Sequence, residues 1–104
     1  MIFVETPVFT QTITELLTDE QYDQFQRYLI ENPKAGDVIE GTGGLRKVRW
    51  KVEGRGKSGG VRVIYYFVDE ADQFRMLLAY RKGIKDDLDA AEKKTLKAIK
   101  DSWR

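Results

Sequence analysis

The fold is decided by residues 45–82, which read LRKVRWKVEGRGKSGGVRVIYYFVDEADQFRMLLAYRK. From Leu45 to Val52 successive side chains alternate between two faces, the period-two pattern of a strand. Val61 to Asp69 is strongly β-prone, and Phe74 to Arg81 follows after a turn at residues 69–72. Because strands joined by short loops pair in opposite directions, these three strands predict an antiparallel sheet.

The flanking sequence adds helices and one more strand. Residues 2–5 predict a short strand, and a helix begins at Pro7. Thr18 followed by Gln21 is typical of a capping box that starts a second helix, which ends at Asn32–Pro33. Asp89 caps a C-terminal helix. We therefore expect one α+β domain over residues 1–104. Its small antiparallel twisted sheet carries two N-terminal helices packed on one face, and a C-terminal helix; the other face is free to be polar.

The composition excludes whole classes of chemistry. The chain has 104 residues, with no Cys and no His. Thiol nucleophiles, thiolate zinc sites, iron–sulfur clusters and Ser-His-Asp triads are therefore excluded. No apolar run approaches the length of a membrane span, and Met1 to Glu5 does not resemble a secretory signal. We expect a cytoplasmic protein with no membrane partner.

Charge is unevenly distributed along the chain. The formal net charge is +1, but residues 1–45 hold two bases and eight acids. Residues 46–85 hold eleven bases and four acids, and residues 86–104 hold five of each. A basic block of this kind attracts phosphates, RNA or an acidic protein. The alternative is a surface whose charge serves only solubility.

The stretch Gly54-Arg55-Gly56-Lys57-Ser58 lies within the basic block. It is not a nucleotide-binding P-loop, because Lys51 stands where that motif needs its first glycine and a strand follows instead of a helix. The glycines predict a mobile hairpin loop, and Arg55 and Lys57 make it cationic. We expect the loop either to be a plain connector or to contact RNA backbone.

Three further clusters are candidates for function. Arg62 is a cation between apolar neighbours on a strand, a costly position unless its face is wet or it has a counter-charge. Tyr80, Arg81 and Lys82 end the last strand with a phenol and two cations, which suits phosphate contact and base stacking. Asp86, Asp87 and Asp89 suggest Mg²⁺, but acids at the start of a helix favour capping, so we expect no metal.

Several motifs resemble the RelE/ParE toxin superfamily, and within it the HigB branch of RelE-type toxins. The matching segments are residues 32–39 (NPKAGDVI), 41–49 (GTGGLRKVR), 57–66 (KSGGVRVIYY) and 86–88 (DDL). The resemblance implies a metal-independent endonuclease without a cofactor that cuts mRNA in the ribosomal A site. It also implies a cognate antitoxin, which we expect to be a helix-turn-helix protein.

The resemblance also assigns residues. It places Lys47 and Arg49 on the strand after the glycine turn, Arg62 after the Gly-Gly pair, and Tyr80, Arg81 and Lys82 at the end of the last strand as catalytic candidates. The basic block adds RNA-binding candidates, which are Arg46, Lys51, Arg55 and Lys57. Many relatives keep a tyrosine near the end of the chain, where this sequence reads Asp86-Asp87-Leu88-Asp89. A required phenol would then come from Tyr80 or Tyr66.

The chemistry such an enzyme needs fits these residue types. RNA supplies its own nucleophile, the 2′-OH, so the protein must align it and stabilise charge on the phosphoryl oxygens. Arginine forks match phosphate oxygens, and a lysine among other cations can act as a base. Two alternatives stay open: a ParE-like poison of DNA gyrase, and a non-catalytic nucleic-acid-binding module such as a co-repressor.

Overall fold

The order of helices and strands matches the prediction except for one additional short strand, β2 at residues 37–38. The computed structural model describes residues 1–52, 60–83 and 87–103. The strands are β1 (Ile2–Glu5), β2 (Asp37–Val38), β3 (Arg46–Trp50), β4 (Val61–Val68) and β5 (Gln73–Arg81), and a 3₁₀ turn (Asp69–Ala71) joins the last two. The helices are α1 (Pro7–Leu16), α2 (Asp19–Glu31) and α3 (Ala90–Ser102).

One five-stranded sheet holds the described strands in the order β1-β5-β4-β3-β2. The expected antiparallel pairing of β3, β4 and β5 is confirmed. The sheet as a whole is mixed, because β1 lies parallel to β5. Parallel neighbours need a crossover, and the chain between β1 and β5 contains two helices that cross one face. The two-residue β2 lies in a stretch predicted to be only a connector.

The first face of the sheet is covered by α1 and α2, as predicted. Phe9 and Ile13 of α1 and Phe25 and Leu29 of α2 are buried against this face. The sheet contributes apolar side chains from its three central strands, Val48, Val63, Tyr65, Phe74 and Met76. The predicted capping box at Thr18 is confirmed, since Thr18 accepts from the amide of Gln21 and the Gln21 side chain accepts in return.

The second face is less open than the sequence suggested, because α3 packs on part of it. Leu96 of α3 is buried in a cluster that includes Leu45, Ile64 and Leu77. Ile99 of the same helix stays exposed.

Lys100 of α3 turns inward toward the sheet. Its Nζ lies 5.2 Å from the centroid of the Tyr66 ring and donates to the carbonyl oxygen of Gly43. This contact fixes α3 to the glycine turn at residues 41–44. The cations of β3 and β4 lie further along the same face. Within the described ranges, no helix combines the length and the apolar character needed to cross a membrane.

Candidate functional site

Two arginines face each other across the sheet on the face that carries α3. Arg49 of β3 pairs in register with Arg62 of β4, and Arg62 pairs in turn with Tyr80 of β5. Residues in register on neighbouring strands share one face, so these side chains form a row across three strands. Like charges directly opposite each other destabilise a sheet, and Arg62 is only 9% exposed. Such a row favours the approach of anions.

Lys47 joins this row two residues before Arg49 on the same face of β3. Its Nζ lies 2.6 Å from Oδ1 of Asp87, in the segment that leads into α3. The hydrogen bond and the charge of Lys47 hold the pKa of Asp87 below its usual range, and the charge of Arg62 acts in the same direction. The site therefore contains an ionised carboxylate in contact with its lysine.

A cavity of about 380 Å³ opens beside these cations. Its walls combine the cations with an acid and a phenol, and its lining residues are Tyr28, Gly36, Asp37, Lys47, Val48, Arg49 and Arg62. Asp37 of β2 lies in register with Lys47. Cations that converge on a concave surface suit a phosphodiester, whose charged oxygens match the fork of an arginine.

The segment before β2 is pressed against β3 and so shapes this cavity. Gly36 has a φ of +82°, and a Cβ at this position would lie 2.2 Å from the carbonyl oxygen of Lys47. Only glycine fits both the left-handed backbone and the close approach. Arg46 donates to the carbonyl oxygen of Lys34 at 2.8 Å, and Tyr65 donates to that of Ala35 at 2.7 Å. The motif at residues 32–39 thus positions Asp37 opposite Lys47.

Two tyrosines are excluded as proton acceptors near neutral pH. Burial raises the pKa of Tyr65 to about 12. Burial also raises the pKa of Tyr22 far above its ordinary value, helped by its hydrogen bond to Glu5 and the charge of that carboxylate. Tyr80 lies in register with Arg62, and its hydroxyl is buried, so that hydroxyl is not open to a bound ligand. The Tyr66 ring lies under Lys100.

The structure brings some of the predicted residues together and separates others. Lys47, Arg49, Arg62 and Tyr80 share one face. Arg81 pairs in register with Val61, whose side chain belongs to the core on the α1–α2 face, so Arg81 is not part of the row. Lys82 follows β5, exposed, with its amide bonded to the carbonyl oxygen of Gly60.

The predicted RNA-binding residues also divide. Arg46 lies on the α2 side of the sheet, where it holds the loop at residues 34–36. Lys51 is exposed and lines a second cleft beside α2. Arg55 and Lys57 lie outside the described residues. Each of these assignments remains a prediction.

The acidic segment before α3 has two separate roles. Asp89 accepts from the amide of Glu92 and completes a capping box, as predicted from the sequence. Asp87 instead pairs with Lys47, a contact that the sequence analysis missed because the partners are 40 residues apart. Asp86 lies outside the described residues. In the ranges that the structure covers, no three acidic side chains gather as a metal-binding group.

Tyr28 and Asp37 were also missed, although both line the cavity. Tyr28 stands beside the apolar stripe of α2, where an aromatic residue is normally assigned to the core. Asp37 sits in a segment predicted to be a turn. The available signal was their position within or just before the motif at residues 32–39.

Comparison with known structures identifies the fold. No protein-family model matches the sequence. A free-state variant of the E. coli toxin RelE with two arginine-to-alanine substitutions is similar over 95% of both chains, with a TM-score of 0.61 and 15% identity. This chain has the RelE fold. The isolated E. coli RelE toxin is similar as well, over 94% of this chain and 97% of that one, with a TM-score of 0.57 and 15% identity.

The RelE fold explains why the cations can gather on one surface. In this chain the fold places β3 and β4 side by side with their basic residues on the α3 face. The chemistry that these residues perform is a separate matter, since one fold hosts different activities.

Proposed function

We propose that this protein is the toxin of a type II toxin–antitoxin pair and an endoribonuclease that cuts messenger RNA in the ribosomal A site. The observation that carries the proposal is the cross-strand pair of Arg49 and Arg62, with Lys47 beside it, on a RelE fold. A phosphodiester bound beside these arginines accepts charge-assisted hydrogen bonds from their guanidinium groups, whose fork matches two phosphate oxygens.

The reaction needs no nucleophile from the protein. The 2′-oxygen of RNA attacks the neighbouring phosphorus, the bond from phosphorus to the 5′-oxygen breaks, and a 2′,3′-cyclic phosphate and a 5′-OH remain. Negative charge develops on the phosphoryl oxygens in the transition state. Arg49 and Arg62 stabilise that charge from fixed positions on two paired strands, an effect that is larger in a site partly closed to water.

Lys47 is placed to donate the proton that the departing 5′-oxygen needs, and the proton of the attacking 2′-OH passes to solvent water. Among the described residues, Lys47 and Asp87 form the ion pair beside the two arginines. Asp87 is a weak proton acceptor near neutral pH, because Lys47 lowers its pKa. When a phosphate enters, it competes with the Asp87 carboxylate for Lys47. The lysine is then in contact with the reacting group.

The direct test is cleavage of a defined message in a reconstituted translation system. Wild type should cut the message at the A site and leave a 2′,3′-cyclic phosphate, whereas the same RNA without ribosomes should stay largely intact. Arg62→Ala should cut poorly under identical conditions. Intact message, or products with a 3′-OH, would contradict the proposal. A gyrase supercoiling assay with the same preparation tests the ParE-like alternative.

The proposed partner is a cognate antitoxin with a helix-turn-helix segment. Expression of the chain alone should arrest growth, and co-expression of a small adjacent reading frame should restore it. Rescue by an adjacent frame that encodes no helix-turn-helix segment would contradict the type of partner but leave the nuclease in place.

A further inference from the structure

Two aromatic rings lie next to the cations, one on α2 and one on β3. Tyr28 is 38% exposed, although it lies on the helix whose Phe25 and Leu29 are buried. Its ring centroid lies 5.4 Å from that of Trp50 on β3, with a tilt of 43°. Trp50 packs edge-on against Phe25 at 5.3 Å. Packing against the core therefore fixes the Trp50 ring. Tyr28 packs against this ring and remains partly exposed.

The edge of the sheet connects this aromatic pair to the arginines. β2 pairs with β3 only at Arg46 and Lys47, so from Val48 onward β3 has no strand on its outer side within the described residues. Tyr28, from the α2 face, and Arg49, from the α3 face, consequently line the same cavity. The aromatic pair and the cation row are neighbours around one strand edge.

Tyr28 and Arg49 also line a second, larger cleft of about 890 Å³. This cleft runs between α2 and the end of β3, and its other lining residues are Thr18, Glu20, Gln21, Gln24, Trp50, Lys51 and Val52. Its size lies in the range of ligand-binding pockets, roughly 300–1,000 Å³. The lining of this cleft thus combines two cations, two aromatic rings and two amide side chains with one acid, Glu20.

Single-stranded nucleic acid is recognised by this combination. A positively charged groove follows the backbone, and exposed aromatic rings stack on the bases. Amide side chains offer both donors and acceptors to a base edge. We propose that Tyr28 and Trp50 form a stacking subsite for one unpaired nucleobase of RNA, next to the phosphate that Arg49 and Arg62 hold.

The subsite adds a base-binding site to the proposed nuclease. It rests on that proposed function, because the nuclease determines which RNA the subsite meets in the cell. The base comes either from the message or from ribosomal RNA beside it, and both present the same chemistry. The lining of the cleft favours RNA over an acidic peptide. Apart from the two rings, Val52 is the apolar side chain among its lining residues, so the cleft offers little surface to hold an apolar side chain of a peptide.

The experiment measures binding of short 2′-O-methyl RNA, which the proposed reaction cannot cut. The probes are a labelled adenylate hexamer and an abasic hexamer of equal charge. Tyr28→Leu should weaken binding of the adenylate hexamer about tenfold, within the roughly 5- to 150-fold range for one stacked base. Its binding of the abasic hexamer should equal that of wild type, which also shows that the variant is folded.

Two control variants separate the ring from other effects. Tyr28→Phe keeps the ring and should bind the adenylate hexamer within twofold of wild type. Ile30→Ala alters a similarly exposed side chain of the same helix, 41% exposed, and should bind as wild type does. Equal adenylate binding by Tyr28→Leu and wild type would overturn the subsite, as would equal losses for both probes or no adenylate binding by wild type.

Tryptophan fluorescence supplies an independent reading of the same contact. The chain has two tryptophans, so Trp103→Phe leaves Trp50 as the sole reporter. The adenylate hexamer should quench Trp50 and the abasic hexamer should not. Quenching by both probes to the same extent would contradict stacking.

Ribosomes then distinguish the source of the base. If affinity for ribosomes without message falls in Tyr28→Leu, the base is ribosomal; if it falls only when message fills the A site, the base belongs to the message. A Tyr28-dependent affinity for RNA without cleavage would refute the proposed nuclease and retain the subsite. If Tyr28→Leu changes neither cleavage at subsaturating message nor hexamer binding, the subsite is refuted and the proposed nuclease is retained.

Discussion

Lys47 on β3 and Asp87 before α3 form an ion pair at 2.6 Å that closes one side of the cation row. The lysine side chain is 23% exposed and the carboxylate 78% exposed. The pair therefore places a negative charge at the position that a phosphate must approach. It balances the cations when no RNA is bound, and it competes with RNA when RNA arrives.

Replacement of Asp87 should strengthen RNA binding. Asp87→Asn keeps the shape of the side chain, removes the charge, and frees Lys47 to contact phosphate. We expect tighter binding of the 2′-O-methyl hexamer and a salt dependence steeper by about one phosphate contact, since each neutralised phosphate adds a slope of roughly 0.7 for single strands. Binding measured between low and moderate salt checks this. Weaker binding would show that Asp87 supports the site instead of competing with its ligand.

The same pair makes stability depend on pH in a defined direction. The pKa of Asp87 is lowered in the folded protein, so the pair stabilises the fold above the ordinary aspartate pKa of about 3.9. The contribution is lost as pH falls through the lowered value. In urea unfolding, the free energy of unfolding of wild type should exceed that of Asp87→Asn near neutral pH. This difference in stability should vanish in strong acid. A stability difference that does not change with pH would contradict an ion pair. When Lys47→Met is also present, the pH-dependent difference between Asp87 and its Asn variant should disappear.

Arg62 should be the most sensitive position of the row. Arg62→Ala removes one contact to the transition state, which costs roughly 10²–10³ in rate. Arg62→Lys keeps the charge without the fork and should recover part of the rate. Single-turnover cleavage on ribosomes measures both variants. Arg27→Ala, which removes a surface arginine paired with Asp23 on α2, is the control.

Arg81 gives this prediction a second test within the same assay. It lies in register with Val61 on the opposite face from Arg62. Arg81→Ala should therefore slow cleavage much less than Arg62→Ala. Equal losses of cleavage rate would show that Arg81 contributes to the site although its position on β5 faces the α1–α2 side of the sheet.

Local sequence rules predicted much of the fold. The capping boxes at Thr18 and Asp89 depend on residues three apart, and both are confirmed. The alternation from Leu45 to Val52 assigned Lys47 and Arg49 to one face, and β3 shows them there. These features follow from the geometry of a single helix or strand, which neighbouring segments do not change.

The remaining features depend on contacts between distant segments. Nothing local fixes the parallel placement of β1 beside β5. The inward turn of Lys100 requires Tyr66 and the carbonyl oxygen of Gly43, which belong to other elements. The exposure of Tyr28, on a helix whose Phe25 and Leu29 are buried, is not revealed by any pattern within α2. For the candidate site, sequence analysis identified the cations but assigned Asp87 to capping and did not identify Asp37 or Tyr28.

Gly36 and Gly41 allow the shape of the cavity to be tested apart from its charges. Both glycines have positive φ, +82° and +80°. A Cβ at Gly41 meets nothing within 4 Å, whereas a Cβ at Gly36 lies 2.2 Å from the carbonyl oxygen of Lys47. Alanine is strained at both positions, at a cost of roughly 1–3 kcal/mol. Only Gly36→Ala also forces the segment before β2 away from β3.

Gly36→Ala should consequently lose more stability than Gly41→Ala, and it should also weaken RNA binding. The backbone of β3 cannot yield without breaking its pairing with β4, so the displaced part is the segment that carries Asp37 and lines the cavity. Urea unfolding measures the stability of both variants, and hexamer binding below their transitions measures the cavity. Gly41→Ala, strained but without a clash, should bind RNA as wild type does. Equal stability losses in the two variants would mean that the backbone conformation alone matters at Gly36, and that the approach to Lys47 is not what shapes the site.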